Sequence, residues 1–275
     1  MSTILQAVVI GIVQGLTEFL PVSSSAHLIV VPRLLGWNDA FLNSAGFDVM
    51  LHVGTLLALL AYFARDLWRL LGAFLASVAQ RSLAGDPQRR LAWLLLVSVI
   101  PAAVLGATLE SFFDTFFRER IALVAVLLLV GAAILWLAER QAGLERDLDR
   151  LRLRDAMVIG AAQALALFPG TSRSGITIAA GLFLGLERAA AARFAFLMGV
   201  PVIAGAGLWK ARELIGDPSV AGEPAVLLGG MLAAAISGAL AISWLLRYLR
   251  GHSTDLFIAY RVVFAALIFV WLLAT

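Results

Sequence analysis

Six stretches of this chain, near 44–63, 91–109, 120–139, 190–209, 225–246 and 256–274, are each apolar for long enough to cross a hydrocarbon layer about 30 Å thick. That requirement restricts the fold severely, because lipid offers no hydrogen bonds and a spanning segment must satisfy its own backbone as a helix or as part of a closed barrel. Runs of this length are helical spans rather than barrel strands, so the expectation is an all-α polytopic membrane protein forming a single membrane domain over 1–275. Composition agrees: 61% of the residues are hydrophobic and 14% charged, far from the balance of a soluble domain. The formal charge of +3 comes from Arg residues scattered over short loops, with no nucleic-acid reading module, so nucleic acid is excluded as a partner. Cysteine is absent and histidine occurs three times, which removes disulfides, thiolate catalysis and Cys- or His-rich zinc sites. No Lys or Arg precedes Arg33, so the first apolar run lacks the basic region of a secretory signal and is expected to stay in the mature protein.

Two further apolar runs, 4–35 and 156–186, are broken at their centres by Pro21 with three serines and by Pro169-Gly170 with Thr-Ser-Arg-Ser-Gly. Proline cannot continue a helix without losing a hydrogen bond, and its predecessor prefers extended backbone. Each run reads as helix, turn, helix. Irregular backbone at membrane depth survives only inside protein or beside a wet cavity, which favours re-entrant hairpins over single spans.

The two halves repeat. A shift of 149 aligns Ala7, Val9, Ile10, Gly11, Gln14, Leu16 and Phe19 with Ala156, Val158, Ile159, Gly160, Gln163, Leu165 and Phe168, seven identities in thirteen pairs where chance gives about one or two. A shift of 148 pairs Pro21 with Pro169 and Ser24 with Ser172, and 147 pairs Ala64-Arg65-Asp66-Leu67 with Ala211-Arg212-Glu213-Leu214. Repeat one covers 1–109 with its hairpin at 4–35. Repeat two covers 156–246 with its hairpin at 156–186, and the spans at 120–139 and 256–274 complete them. An odd number of crossings inverts the second copy, giving an inverted-topology repeat of six spanning helices plus two re-entrant hairpins, whose polar turns would meet near the midplane. Arg65, Arg69, Arg81, Arg89 and Arg90 in 64–90, and Arg140, Arg146, Arg150, Arg152 and Arg154 in 139–155, mark the cytoplasmic side. The mixed charges of 110–120 and 210–224 fit the outer side.

Ionisable groups at membrane depth are functional candidates by default. Gln14 and Glu18 stand four apart on one helical face, and Gln163 occupies the equivalent face of the second hairpin. A buried Glu18 needs a hydrogen-bond donor, a cation or a metal, so it is also the candidate metal ligand. Ser23, Ser24 and Ser25 precede an apolar helix, an N-cap pattern whose free amides and positive dipole also suit phosphate. A serine there becomes a nucleophile if a base lies near, and His27 is available. Ser172-Arg173-Ser174 opens the second outgoing helix, and Arg173 is the guanidinium suited to bidentate phosphate capture or to pairing with Glu18. Asp48 and His52, four apart on one helical face, either support the site from behind or, the favoured reading, form a local pair, and Gly11-x-x-x-Gly15 and Gly181-x-x-x-Gly185 read as close helix contacts.

The stretches Gln14-Gly-Leu-Thr-Glu18-Phe-Leu-Pro-Val-Ser-Ser-Ser-Ala-His27 and Pro169-Gly-Thr-Ser-Arg173-Ser-Gly175 resemble the two signature motifs of the undecaprenyl-pyrophosphate phosphatase family of the bacitracin-resistance type. The resemblance extends over nearly the whole chain in spacing and span order. It implies a bacterial inner-membrane enzyme, active site facing the periplasm, that removes the terminal phosphate of a C55 polyprenyl pyrophosphate and recycles the lipid carrier of wall synthesis, supported by a divalent cation, Mg2+ or Ca2+. Glu18, Ser24, His27, Ser172 and Arg173 match functional positions of that family, Ser25 occupies a Ser/Thr position, and Gln14 stands where many members have Glu. Glu18, Ser24, His27 and Arg173 are thus the catalytic candidates. Gln14, Ser23, Ser25, Thr171, Ser172, Ser174 and Gly175 are the candidates for binding the substrate, whose prenyl tail would lie in an apolar groove.

The expected chemistry is in-line attack by Ser24 on a pyrophosphate held by Arg173, the 172–174 amides and the cation, with His27 or Glu18 taking the proton. An alternative within that chemistry makes His27 the nucleophile and Glu18 its orienting partner. A second class stays open, a secondary transporter or flippase of a polyprenyl phosphate, because broken helices in inverted repeats are typical of transporters. The phosphatidic-acid phosphatase pattern is excluded, since no histidine follows Ser172-Arg173 at the spacing it requires. The sequence leaves room for a homo-oligomer.

Overall fold

A computed structural model describes residues 2–118, 120–214 and 224–274. Among these residues the chain is helical throughout, with one isolated bridge between Arg146 and Leu186. The helices are α1 (Thr3–Phe19), α2 (Ser24–Leu34), α3 (Ala45–Tyr62), α4 (Ala64–Gln80), α5 (Pro87–Arg118), α6 (Ile121–Gln141), α7 (Leu153–Gln163), α8 (Arg173–Phe183), α9 (Arg188–Leu214), α10 (Pro224–Tyr248) and α11 (Asp255–Ala274).

Among the described residues, five helical stretches are long and apolar enough to cross a membrane by themselves: Pro87–Gly106, Ile121–Gln141, Arg188–Trp209, Pro224–Tyr248 and Asp255–Ala274. The sixth expected span, 44–63, is not an independent straight helix. It is α3, which bends by 76° into α4. The bend falls at Phe63, whose backbone leaves the helical region and whose ring is buried, immediately before Arg65, Asp66 and Arg69. Those charges have no place in hydrocarbon, and α4 turns an apolar edge of Trp68, Leu71, Leu75 and Val78 outward instead. The expected spans at 91–109 and 190–209 match the crossing stretches Pro87–Gly106 and Arg188–Trp209, beyond which α5 continues to Arg118 and α9 to Leu214, each carrying an internal proline, Pro101 and Pro201. The charge pattern assigned to 210–224 lies in large part outside the described residues, as does Glu119 of the 110–120 segment.

Large apolar side chains on the long helices, among them Leu208, Ile236, Leu240 and Val270, face outward. A helix apolar on both its inner and outer faces is what a lipid environment selects. This is therefore a multi-pass membrane protein. Both interrupted runs are broken where expected, the first between Phe19 and Ser24, the second between Gln163 and Arg173, where a short 3-10 turn (Ala164–Leu167) precedes Pro169.

Packing brings the two breaks together. α1 lies along α10, close enough that a Cβ at Gly11 or Gly15 would collide with the backbone of Gly230 or Ala234, so those glycines serve helix contact. α3 also packs on α10, α11 on α6, and α8 between α6 and α9. The segments 64–90 and 139–155 meet at one end of the molecule, where Arg90 donates to the Asp149 carbonyl.

Candidate active site

The two turns have the same local construction. Ser23 caps α2 with φ 75° and its Oγ accepts from the Ala26 amide; Ser172 caps α8 with φ 71° and its Oγ accepts from the Gly175 amide. Positive φ at a residue with a side chain costs about 1–3 kcal/mol and persists only where surrounding contacts enforce it. In both turns the capping hydroxyl also contacts the serine two residues on, Ser23 with Ser25 at 3.1 Å and Ser172 with Ser174 at 3.2 Å. These equivalences correct the register read from the sequence. Ser23, not Ser24, corresponds to Ser172, because Leu20 is an extra residue before the first proline and Gly170, at φ 107°, an extra residue after the second. A shift of 149 is thereby restored at the helix starts, and Ser24 corresponds to Arg173.

Those two residues, first in their helices, converge on one carboxylate. Ser24 Oγ donates to Glu18 Oε2 at 2.6 Å, and Arg173 Nη2 donates to Glu18 Oε1 at 3.0 Å. Gln14, one helical turn earlier on α1, donates its Nε2 to Glu18 Oε2 at 3.2 Å. Glu18 is 6% exposed. Its burial is thus offset by three hydrogen-bond donors, one of them cationic. The turns also touch directly: Ser174 Oγ donates to the Leu20 carbonyl at 3.1 Å and the Gly170 amide to Ser25 Oγ at 3.3 Å. The amides of Ser24, Ser25, Arg173 and Ser174 lie in first helical turns, where no intrahelical acceptor exists, so two positive helix ends open at one place.

His27 is buried nearby but bonds elsewhere. Its Nδ1 lies 2.7 Å from the Ser23 carbonyl and its Nε2 2.7 Å from the Tyr260 hydroxyl, while its ring stacks on Phe264 at 4.2 Å. A carbonyl can only accept, so Nδ1 carries the proton and the neutral ring's Nε2 accepts from Tyr260. His52 donates Nδ1–H to the Asp48 carbonyl at 2.8 Å and brings Nε2 to 3.9 Å from Glu18 Oε2, an ion pair when the imidazole is protonated. Thr171 and Gly175 line the second turn, Gly175 through its capped amide and Thr171 through its carbonyl.

Two residues were missed in the sequence. Tyr260 and Arg261 belong to α11, read there as an ordinary span, yet a guanidinium in the middle of an apolar run was the signal. Arg261 is fully buried and donates to the carbonyls of Leu128, Pro21, Gly170 and Thr171.

Among the described residues no three His, Cys, Asp or Glu side chains gather as a metal cage. Glu18 supplies a carboxylate, and Gln14 Oε1 is a buried acceptor with no partner. Two protein oxygens suit Mg2+ or Ca2+ as part of a shell completed by phosphate oxygens, a common arrangement for Mg2+. Gln163 is equally buried, and neither its Oε1 nor its Nε2 finds a partner.

The profile of the family described as bacitracin resistance protein BacA matches residues 7–267. A curated protein of Thermomicrobium roseum named undecaprenyl-diphosphatase is 48% identical over 263 residues, covering 94% of each chain. Proteins of the same name from Geobacter sulfurreducens, 46% identical over 98% of this chain and 99% of the relative, and from Moorella thermoacetica, 48% identical over 97% of each, are similar throughout.

Proposed function

The chain belongs to the bacitracin resistance protein BacA family, and from that membership and the Glu18-centred site we propose that it hydrolyses undecaprenyl pyrophosphate to undecaprenyl phosphate and inorganic phosphate. The observation that carries the reading is the 2.6 Å hydrogen bond from Ser24 Oγ to Glu18 Oε2, at the mouth of two facing helix N-termini. It pairs a nucleophile with its base. A transporter site needs binding groups alone.

Ser24 Oγ attacks the terminal phosphorus as Glu18 takes its proton. The bond from that phosphorus to the bridging oxygen breaks, and undecaprenyl phosphate leaves with the bond's electron pair. Glu18 hands its proton to the departing undecaprenyl phosphate, and water then attacks the phosphoserine, passing a proton to Glu18, which returns it to Ser24 Oγ as the bond to phosphorus breaks and inorganic phosphate leaves. Arg173 shifts part of its interaction from Glu18 to the phosphate, and the amides of Ser24, Ser25, Arg173 and Ser174 stabilise the charge spreading over the equatorial oxygens. His27, with its proton fixed on Nδ1 and its Nε2 bonded to Tyr260, orients the Ser23 turn rather than attacking phosphorus. Ser23 and Ser172 hold the turns, and Ser25 and Ser174 join them. A divalent cation, Mg2+ or Ca2+, held by Glu18 and Gln14 Oε1 together with pyrophosphate oxygens, would neutralise negative charge at the site.

In the cell the protein resides in the bacterial inner membrane with the site facing the periplasm. Supporting this, the arginine-rich segments 64–90 and 139–155 contact each other at one end, as two cytoplasmic segments would. The two broken helices are re-entrant hairpins of an inverted repeat, a reading supported by their matching caps and by the internal sequence identity.

The test is phosphate release from C55 pyrophosphate in detergent by purified wild type and Arg173→Ala, with and without EDTA. Release lost in the folded variant upholds a phosphatase that uses the second turn, and EDTA sensitivity adds the cation. A wild type inert with either cation rejects the reading. Mass spectrometry of a quenched reaction separates the routes: phosphate on Ser24 supports this one, and phosphate on His27 overturns it.

A further inference from the structure

Arg261 lies in α11, 90 residues beyond Thr171 of the nearer turn, and reaches both turns. Its Nη2 donates to the carbonyls of Gly170 and Thr171, each at 2.8 Å, its Nη1 to Pro21 at 3.5 Å and its Nε to Leu128 of α6 at 3.2 Å. Every acceptor is a backbone carbonyl, and the residue has no exposed surface. A guanidinium carried to this depth without a carboxylate is costly, and carbonyl dipoles repay only part of that cost. The fold makes room for it at two glycines. A Cβ at Gly131 on α6 would strike its Nη2, and one at Gly175 on α8 its Nη1.

Resting on the phosphatase reading, the geometry points to Arg261 as the positioning residue that aligns the two half-sites for in-line transfer. Each peptide directs N–H opposite to C=O. Drawing the carbonyls of Pro21, Gly170 and Thr171 toward one buried guanidinium keeps their negative ends away from the phosphate and turns the Ser172 amide, the other end of the Thr171 peptide, toward it. The fork also sets the distance between the turns, because the same guanidinium binds the Pro21 carbonyl, two residues before the Ser23 cap, and the Gly170 and Thr171 carbonyls, just before the Ser172 cap. Ser24 rides on one of these segments and the phosphate clamp on the other, so a shift of about 1 Å between them costs about 100-fold in rate even with every reacting group present. The uncompensated charge has a second effect: with Arg173 neutralised by Glu18, Arg261 leaves the pair of turns positive and ready for an anion.

The test compares wild type, Arg261→Lys and Gly131→Ala in one detergent assay, with elution profile and thermal unfolding recorded for each. Lysine keeps the charge and loses the planar fork. Alanine at 131 keeps Arg261 and pushes its guanidinium off Thr171. Both variants are expected to fold, with kcat lowered by about 100-fold for Arg261→Lys and about 10-fold for Gly131→Ala, and KM within about threefold of wild type. A folded variant whose kcat stays within threefold of wild type overturns the inference. So does a loss confined to KM, which would make Arg261 a ground-state binding group, or failure of both variants to fold, which would make it purely structural. If Arg261→Lys alone fails to fold, Gly131→Ala decides by the same criteria. An inactive wild type rejects the phosphatase reading itself and the inference with it, whereas an active wild type with unaffected variants rejects the inference alone.

Discussion

The turn between α1 and α2 and the turn between the 3-10 segment and α8 share one frame: a proline, a serine held at positive φ, a capped third amide and a second serine against the first. They differ at the first helical residue. One turn presents a hydroxyl, Ser24, and the other a guanidinium, Arg173, and both meet Glu18, which only the first hairpin carries. At shift 149 the place of Glu18 is taken by Leu167, inside the 3-10 turn. A duplicated anion-binding frame has thus been divided, one copy carrying nucleophile and base and the other the clamp. The frame supplies binding, and single side chains supply reaction.

The sharpest way to break that division is to remove its one-sided groups. Ser24→Ala should reduce phosphate release by roughly 10⁴-fold with the fold intact, and a folded Ser24→Ala that retains a tenth of wild-type kcat would end the assignment of nucleophile to the first turn. Glu18→Gln comes next, with an expected loss of about 10²–10⁴-fold in kcat. This change also leaves Arg173 without its carboxylate, so KM for the anionic substrate should fall or stay constant; a rise would mean that losing the cation Glu18 holds outweighs the freed guanidinium. On the clamp side, Arg173→Lys should cost about 10²–10³-fold in kcat/KM, since an ammonium cannot reproduce two-pronged contact. Substrate titration measures it, and full retention would leave the second turn without its role.

Smaller effects sharpen the likeness of the frames. Ser23→Gly and Ser172→Gly relieve the positive φ and lose a cap worth only a few tenths of a kcal/mol against glycine, so thermal unfolding should shift in the same direction for both, within about 0.5 kcal/mol of each other. Opposite signs would mean that the turns are alike in geometry but not in strain. The smallest change is Tyr260→Phe, which removes the donor to His27 Nε2; with His27 confined to orienting Ser23, activity should drop no more than about fivefold. A loss rivalling that of Ser24→Ala would return His27 to the chemistry.

The amino-acid sequence carried much of this. Gln14 and Glu18 sit on one face because four residues make about one helical turn, and their hydrogen bond follows from spacing alone. Pro21 and Pro169 had to break their helices, and serines before an apolar run had to cap what followed. The register of the second turn was harder to read, because Leu20 and Gly170 lie on opposite sides of their prolines and a proline-to-proline alignment hides the compensation. In the sequence, Arg65, Asp66 and Arg69 mark the cytoplasmic side and hide the apolar edge of α4, and the bend at Phe63 follows from packing rather than from a Gly or Pro signal.

By itself, then, the sequence determined that the chain crosses a membrane, that two of its apolar runs are broken, and that one carboxylate, one guanidinium and several hydroxyls stand at the breaks. All of these depend on local rules: the length of an apolar run, the helical period, the missing amide of proline. Only the tertiary structure decided that Ser24 rather than His27 bonds Glu18, that His27 turns to Tyr260, and that Arg261 reaches both turns. Those partners are set by how α1 lies on α10 and α11 on α6, and a stripe such as Gly11-x-x-x-Gly15 marks that a helix packs closely without saying which helix it meets.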